Sequence, residues 1–324
     1  MSGLEPLRWP RLRDLSADGR GGYLLRRALR GRPAERSAAA RDLAFRLARN
    51  FTSNLAIDVD GVRFHLDTEG REVSRIVFIF GLYDRPVMEA AFAALAHNGG
   101  PADFEGRLFL DMGANIGTAT LTAVAHFGAG GGYAIEPDPA NFRTLSVNLA
   151  ANHHSDRVTA FRLALSDRAG RVEFARSELN FGDHRVRVAE GAGSDDLGES
   201  GREVIEVEGI TLDELVSSGE VDLSEVGLAW IDVQGHEAHL LEGANKLLSS
   251  PVPVVVEYWP YGLRAAGSLE RFQEVVAAGY ESYVDLGGPK GTPRVEPRPT
   301  TDLAALAERH PVTDDHTDLL LLPG

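Results

Sequence analysis

The sequence predicts an α/β protein: a Rossmann-like, seven-stranded, mostly parallel sheet preceded by a helical N-terminal extension. Three observations carry this prediction. From residue 107 onward short apolar runs alternate with helix-like stretches, the pattern of parallel strands joined by crossover helices. The first run ends at Asp111 and passes directly into a Gly-rich turn, FLDMGANIGTATL at 109–121. The next run ends in a second acid, Glu136, 25 residues after the first.

Taken in order, residues 1–50 read as Arg/Ala-rich helix, interrupted at Gly21-Gly22 and at Arg32-Pro33. Residues 55–66 form a hairpin pattern around an Asp60-Gly61 turn. PVMEAAFAALAH at 86–97 is an amphipathic helix ended by Gly99-Gly100-Pro101. Residues 1–100 are therefore expected to be a helical extension with a short hairpin, capping a main domain over 101–324. In that domain strands are expected at 107–111, 132–136, 158–165, 227–233, 252–259, 280–286 and 317–322, the last antiparallel near the sheet edge. Helices are expected at 118–127, 139–151, 237–249 and 268–278. Residues 170–210 break the alternation with strand-like runs, RVEFA and EVIEVEGI, and such an insertion decorates the binding edge of a sheet.

Composition narrows the class. The 324 residues are 43% hydrophobic and 25% charged, as in an ordinary globular protein. No apolar run approaches the roughly 18 residues of a membrane span, and Arg8, Arg11, Arg13 and Asp14 break up any signal peptide. Cysteine is absent, which excludes disulfides and thiolate chemistry; a cytoplasmic location is the expectation. Residues 1–50 hold 12 Arg against 5 acids, so the net charge of −15 divides into +7 there and −22 over the rest. An acidic main domain repels a phosphate backbone, which argues against a nucleic-acid partner. The basic arm is either a solvated face packed on the acidic body or a contact for an acidic partner. The oligomeric state is left open, with a homodimer through the extension as one possibility.

In the Gly-rich turn, Gly113 and Gly117 allow a tight bend and close approach to a ligand, with Asn115 and Ile116 between them. Exposed amides at the following helix start favour an anionic group. Glu136, followed by Pro137, stands where an acid accepts ribose hydroxyls. This much suits either NAD or S-adenosylmethionine. The pattern, however, is Asp-x-Gly-x-Asn-x-Gly, and Asp111 would repel a pyrophosphate while pairing with an α-ammonium. The electrostatics favour S-adenosylmethionine. After the third strand, Ser166-Asp167 either receives the adenine amino group or forms a turn before Gly170.

Six stretches, LDMGANIGTATL, YAIEPDPANFRTLSVNL, LALSD, IDVQGHEAHLLEGA, TLDEL and IFGLYDRPVMEA, make the chain resemble the FkbM methyltransferases over roughly residues 55–260. The resemblance implies a class I methyltransferase fold, S-adenosylmethionine as cofactor, and methylation of a hydroxyl on a small-molecule acceptor such as a sugar or polyketide. Trp230 and Gln234 depart from the family pattern, which commonly has lysine and glutamate there. No particular substrate therefore carries over.

The fourth strand leads to Asp232 and His236. An alcohol acceptor must lose a proton, and an imidazole is the chemical choice of base. His236 is read as base or substrate ligand, as a source of orienting hydrogen bonds, or as packing. A divalent ion on Asp232, His236 and Glu257 is the less favoured route, because His236-x-x-His239 is not a compact metal motif. No metal is expected. Glu257, Trp259 and Tyr261 are either an acceptor-pocket wall or edge-of-core packing. Asn180 to Arg185 is either a loop over the cofactor or a surface turn. Methylation of nitrogen or carbon, and a non-catalytic cofactor-binding scaffold, are the competing readings.

Overall fold

The computed structural model describes residues 33–68, 72–176, 185–186, 203–287, 293–312 and 315–324. The expected interruptions at Gly21-Gly22 and most of the Asn180 loop lie outside the described residues. The described chain opens with α1 (Pro33–Ala48), the hairpin β1 (Asn54–Val59) and β2 (Val62–Asp67), α2 (Glu72–Phe80) and α3 (Arg85–His97). The alternation begins with β3 (Leu108–Met112), α4 (Thr118–His126), β4 (Gly131–Ile135), α5 (Pro139–Ala151) and β5 (Val158–Phe161). Four strands then leave it: β6 (Ala164–Leu165), β7 (Gly170–Arg176), β8 (Arg185–Val186) and β9 (Glu203–Ile210). It resumes through α6 (Leu212–Ser217), β10 (Val226–Ile231), α7 (Glu237–Glu242), α8 (Asn245–Leu248) and β11 (Val254–Tyr258). The remainder is α9 (Pro260–Ala265), α10 (Leu269–Gly279), β12 (Ser282–Asp285), β13 (Arg298–Pro299), α11 (Leu303–Ala307) and β14 (Thr317–Leu322).

The main sheet runs β13-β12-β14-β11-β10-β3-β4-β5. Strands β11, β10, β3, β4 and β5 pair in parallel, and β14 inserts antiparallel between β11 and β12. This is the class I methyltransferase arrangement, with the last strand reversed as the sequence leads one to expect. The two-residue β13 adds an eighth strand at the edge. Strand residues alternate between two cores. Leu228 and Trp230 face the cluster holding Met88, Phe92 and Leu95 of α3, whereas Ala229 and Ile231 face Leu240, Phe272 and Leu303.

Two expected elements are divided. The run 158–165 breaks after Phe161, and Ala164-Leu165 pairs instead with β9 in a second sheet of order β6-β9-β7-β8. The helix expected over 237–249 stops at Glu242. A Cβ on Gly243 would lie 2.1 Å from the Ser166 carbonyl oxygen, so only glycine fits beside the backbone that follows β6 at the point where the helix breaks.

The N-terminal segment packs as a cap. Phe64, Leu66 and Val77 join Ile116, Leu121, Leu145 and Leu149 in one buried cluster. The free edge of β2 is closed by side chains of α5 and its C-terminus: Asn148 accepts from the His65 amide at 2.7 Å and Asn152 from the Arg63 amide at 2.8 Å. Asp42 of α1, only 2% exposed, bonds Arg75 of α2 at 2.5 Å and Arg46 at 3.1 Å. Asp42→Ala strands the Arg75 charge and should destabilise the protein by about 3 kcal/mol. Urea unfolding would measure it, and a change under ~0.5 kcal/mol would mean the pair contributes nothing. Among the described residues no helix is long and apolar enough to cross a membrane.

Candidate active site

A cavity opens at the carboxyl ends of β3, β4 and β10, where ligands bind in open α/β sheets. The turn after β3 is shaped by positive φ angles at Gly113 (100°), Asn115 (50°) and Gly117 (90°). Its amides at Gly113 and Ala114 both bond the Ile135 carbonyl, at 3.0 and 2.9 Å, which ties the turn to the end of β4. Glu136 then locks two loops together: Oε2 accepts from the Asn115 amide at 2.9 Å and Oε1 from the Asp138 amide at 2.8 Å. Asp138 in turn caps α5, accepting from the amides of Ala140 and Asn141. Asp111, 1% exposed, accepts from Thr120 at 2.5 Å.

After β10 the chain bends through Gln234 (φ 54°) and Gly235 (φ 95°). The Gln234 amide donates to Asp232 at 2.6 Å and to Glu257 at 3.0 Å, linking two acids across the strand ends. Glu237 turns back to accept from the amides of Gly235 and Val233, so it shapes the loop. His236 is buried, its Nε2 3.0 Å from Ser166 Oγ, and its ring stacks on His239 with centroids 4.5 Å apart. Ser166 Oγ donates to Asp167 Oδ1 at 3.0 Å. With that proton committed, Nε2 is the donor to Ser166 and the ring's lone pair sits on Nδ1, which is buried without a hydrogen-bond partner. Burial pushes the imidazole down to about 3, so it is neutral at physiological pH.

Of the residues singled out in the sequence, Asp111, Gly113, Asn115, Glu136, Pro137, Asp232 and His236 line the cavity together. Ile116 and Gly117 shape it from behind. The former is buried in the apolar cluster with Leu145, and a Cβ on the latter would meet Leu145 at 2.8 Å. Ser166 and Asp167 stand behind His236 and are not on the cavity wall. Glu257 reaches the site through Gln234. Trp259 and Tyr261 lie off the wall, their rings 6.3 Å apart, with Trp259 packed on Gly262 of α9. Asp232, His236 and Glu257 do not converge, and among the described residues no group of three or more His, Asp or Glu could hold a metal ion.

Residues absent from that reading complete the walls. Val73, Tyr83 and Asp84 come from the N-terminal segment, Leu163 from the link before β6, Ala164, Leu165 and Phe174 from the second sheet, and Thr118, Asn141 and Leu240 from the three flanking helices. The IFGLYDRPVMEA stretch was the available signal for Tyr83 and Asp84. Four carboxylates, Asp84, Asp111, Glu136 and Asp232, line the cavity, and none of its described lining residues is Lys or Arg. Burial raises all four pKa values, Asp84 and Asp111 to about 7 and Glu136 to about 8, and at these three repulsion from neighbouring carboxylates adds to it.

Residues 111–277, more than half of the chain, match the Methyltransferase FkbM domain. The chain belongs to the FkbM methyltransferase family. Within curated proteins this FkbM chain is similar to the hexuronic acid methyltransferase AglP of Haloferax volcanii, 32% identical over 45% of this chain and 54% of that protein. It is also similar to the 2-O-methyltransferase NoeI of Sinorhizobium fredii, 26% identical over 47% of this chain and 63% of that one. The FkbM chain thus spans a little over half the length of the curated relatives it matches. Among solved structures, the FkbM methyltransferase of Methylobacillus flagellatus superposes with a TM-score of 0.41 and 15% identity, covering 87% of this chain and 59% of its own. The FkbM match begins at Asp111, so Tyr83 and Asp84 reach the cavity from outside it.

Proposed function

We propose that this FkbM protein is an S-adenosylmethionine-dependent methyltransferase acting on a hydroxyl of a small, sugar-like acceptor. One observation carries the reading: a Gly-rich turn opens onto a cavity walled by four carboxylates, with no basic residue among its described lining. Such a wall suits a cationic donor and repels a pyrophosphate. The names of its relatives, a hexuronic acid methyltransferase and a 2-O-methyltransferase, support the acceptor class.

The donor set fits the cofactor. Glu136 accepts one backbone amide on each oxygen, with Asn141 beside it, and its carboxylate lies on the cavity wall as the acceptor for ribose hydroxyls. Asp111 is the partner for an α-ammonium. Leu163, Leu165, Phe174 and Leu240 give an apolar end suited to a purine. S-adenosylmethionine, when bound, supplies an electrophilic methyl group. The protein's residues hold and align the acceptor, exclude water and take up the hydroxyl proton. Asp232 stands at the reacting end as a carboxylate made more basic by burial. His236 is a neutral wall whose orientation is fixed by Ser166 and Asp167. The two residues expected at the adenine therefore act through His236 in this reading. In this reading the cap over residues 1–100 belongs to the functional unit with the domain over 101–324, because Val73, Tyr83 and Asp84 supply cavity wall.

Calorimetric titration with S-adenosylhomocysteine, S-adenosylmethionine and NAD tests the assignment. Binding of NAD in preference to the other two would sink it. Glu136→Ala removes a charged acceptor and should weaken S-adenosylhomocysteine by about 1.5–3 kcal/mol, roughly 10- to 150-fold. An unchanged affinity would remove Glu136 from the binding site.

A further inference from the structure

Asp84 lies upstream of the matched FkbM domain. It immediately precedes α3, a position from which aspartate ordinarily turns its carboxylate onto the first helix amides. Here it makes no such cap bond, and Pro86 in the first turn has no amide to offer. The carboxylate faces the cavity instead, and Oδ2 is buried without a hydrogen-bond partner. Among the other candidates, Asp111 is engaged by Thr120, Asp232 by Gln234, Glu136 by two backbone amides and His236 Nε2 by Ser166. The unpartnered His236 Nδ1 belongs to an imidazole whose pKa burial holds at about 3, too weak a base for the task. Thr118 bonds the Asp84 carboxyl as well. Among the described residues, Asp84 alone of the cavity-lining carboxylates has a buried oxygen left unpartnered. Forgoing a cap and leaving such an oxygen both cost stability. A ligand proton at that oxygen accounts for both.

We propose that Asp84 is the proton acceptor of the methylation put forward above, on which this inference rests. The acceptor's O–H bond breaks and its proton passes to Asp84 Oδ2. The electron pair of the hydroxyl oxygen forms the new bond to the methyl carbon, while the C–S pair stays on sulfur. Tyr83, Thr118, Asp111, Asp232 and Asp318 are the polar and titratable groups acting on Asp84. Burial and the nearby acids hold its carboxyl near 7, the range in which a general base works at neutral pH. The contact between Tyr83 and Thr118 hydroxyls, at 3.3 Å, ties the Asp84 loop to the start of α4.

The test uses sinefungin, which carries an amine where the donor carries its transferable methyl, beside S-adenosylhomocysteine, which carries nothing there. Asp84→Asn should weaken sinefungin by about tenfold or more while leaving S-adenosylhomocysteine within about threefold. Asp84→Glu should recover most of the sinefungin affinity. Calorimetry at pH 7 in buffers of different ionisation enthalpy should show sinefungin displacing about half a proton fewer from Asp84→Asn than from the unaltered protein. Equal losses for both ligands, no loss for either, or equal proton release would overturn the assignment. Failure of the unaltered protein to bind S-adenosylhomocysteine would instead overturn the cofactor reading, and the thermal midpoint of each variant checks its fold.

Discussion

Replacing Gly113 by alanine should destabilise the protein by about 4 kcal/mol or more, among the largest effects expected of a single methyl group. The φ of 100° is one that L side chains rarely adopt. The added Cβ would also lie 1.9 Å from the carbonyl oxygen of Asp232 and 2.8 Å from its carbon. That neighbour is backbone and is itself held, because the Asp232 amide bonds the Met112 carbonyl at 3.0 Å. Relief requires β3 and β10 to part at their carboxyl ends, which opens the cavity and weakens ligand binding together with the fold. Gly117→Ala is the comparison: its Cβ meets only the end of the Leu145 side chain at 2.8 Å, so backbone strain dominates and the cost should be about 1–2 kcal/mol. Urea unfolding of both variants measures the contrast. A loss at Gly113 no greater than at Gly117 would mean that the two loops have room to spare.

The ligand-free protein should lose stability as pH rises from about 5 to 8. Asp84, Asp111 and Glu237 titrate near 7 in the folded protein, and Glu136 and Asp318 near 8, all raised first by burial. In the unfolded chain such groups titrate near 4. Below that value both states are protonated and the contribution to stability is complete. Between about 4 and 8 the folded protein keeps protons that the unfolded chain has released, so each increment of pH favours unfolding. Above about 8 the contribution is gone, and like charges remain in one cavity. The loss is on the order of several kcal/mol. Scanning calorimetry at pH 5.5 and 8.5 should find the lower thermal midpoint at the higher pH. Saturating S-adenosylmethionine should flatten that difference by placing a cation among the carboxylates. A midpoint that rises over this interval would show that the acids are ionised, and stabilised, throughout.

What could be read in the sequence was local. Asp111, Gly113, Asn115 and Glu136 fall within one strand-turn-helix-strand unit, so their spacing already places them around one turn. Alternating apolar runs identified the parallel strands because each is buried on both faces. Partners from distant chain left no such trace. Beyond the break after Phe161 the chain pairs with β9, the Ser166 amide bonding Ile210, and at the helix stop the Ser166 carbonyl leaves room for glycine alone at 243. Neither contact has a period to detect. Ser166-Asp167, readable from its place after a strand as an adenine ligand or a turn, gave no sign that the Ser166 hydroxyl meets a histidine 70 residues on. Asp84 falls in the IFGLYDRPVMEA stretch, where an aspartate before a helix normally signals a cap. Its missing cap bond is a tertiary fact.

The position of β3 has a consequence for how the molecule comes into being. It is the first strand of the main sheet to be synthesised, yet it lies in the middle, between β4 and β10. The Arg107 guanidinium reaches the Val226 carbonyl across 119 residues of chain, most of which must leave the ribosome before this neighbour exists. Until then the apolar flank of β3 facing β10 has no partner, and the floor of the cavity is half built. Long-range closures of this kind are slow. Recovery of ligand binding during refolding should therefore follow the last phase and not the first, which makes a bound nucleoside a sensor of completed assembly.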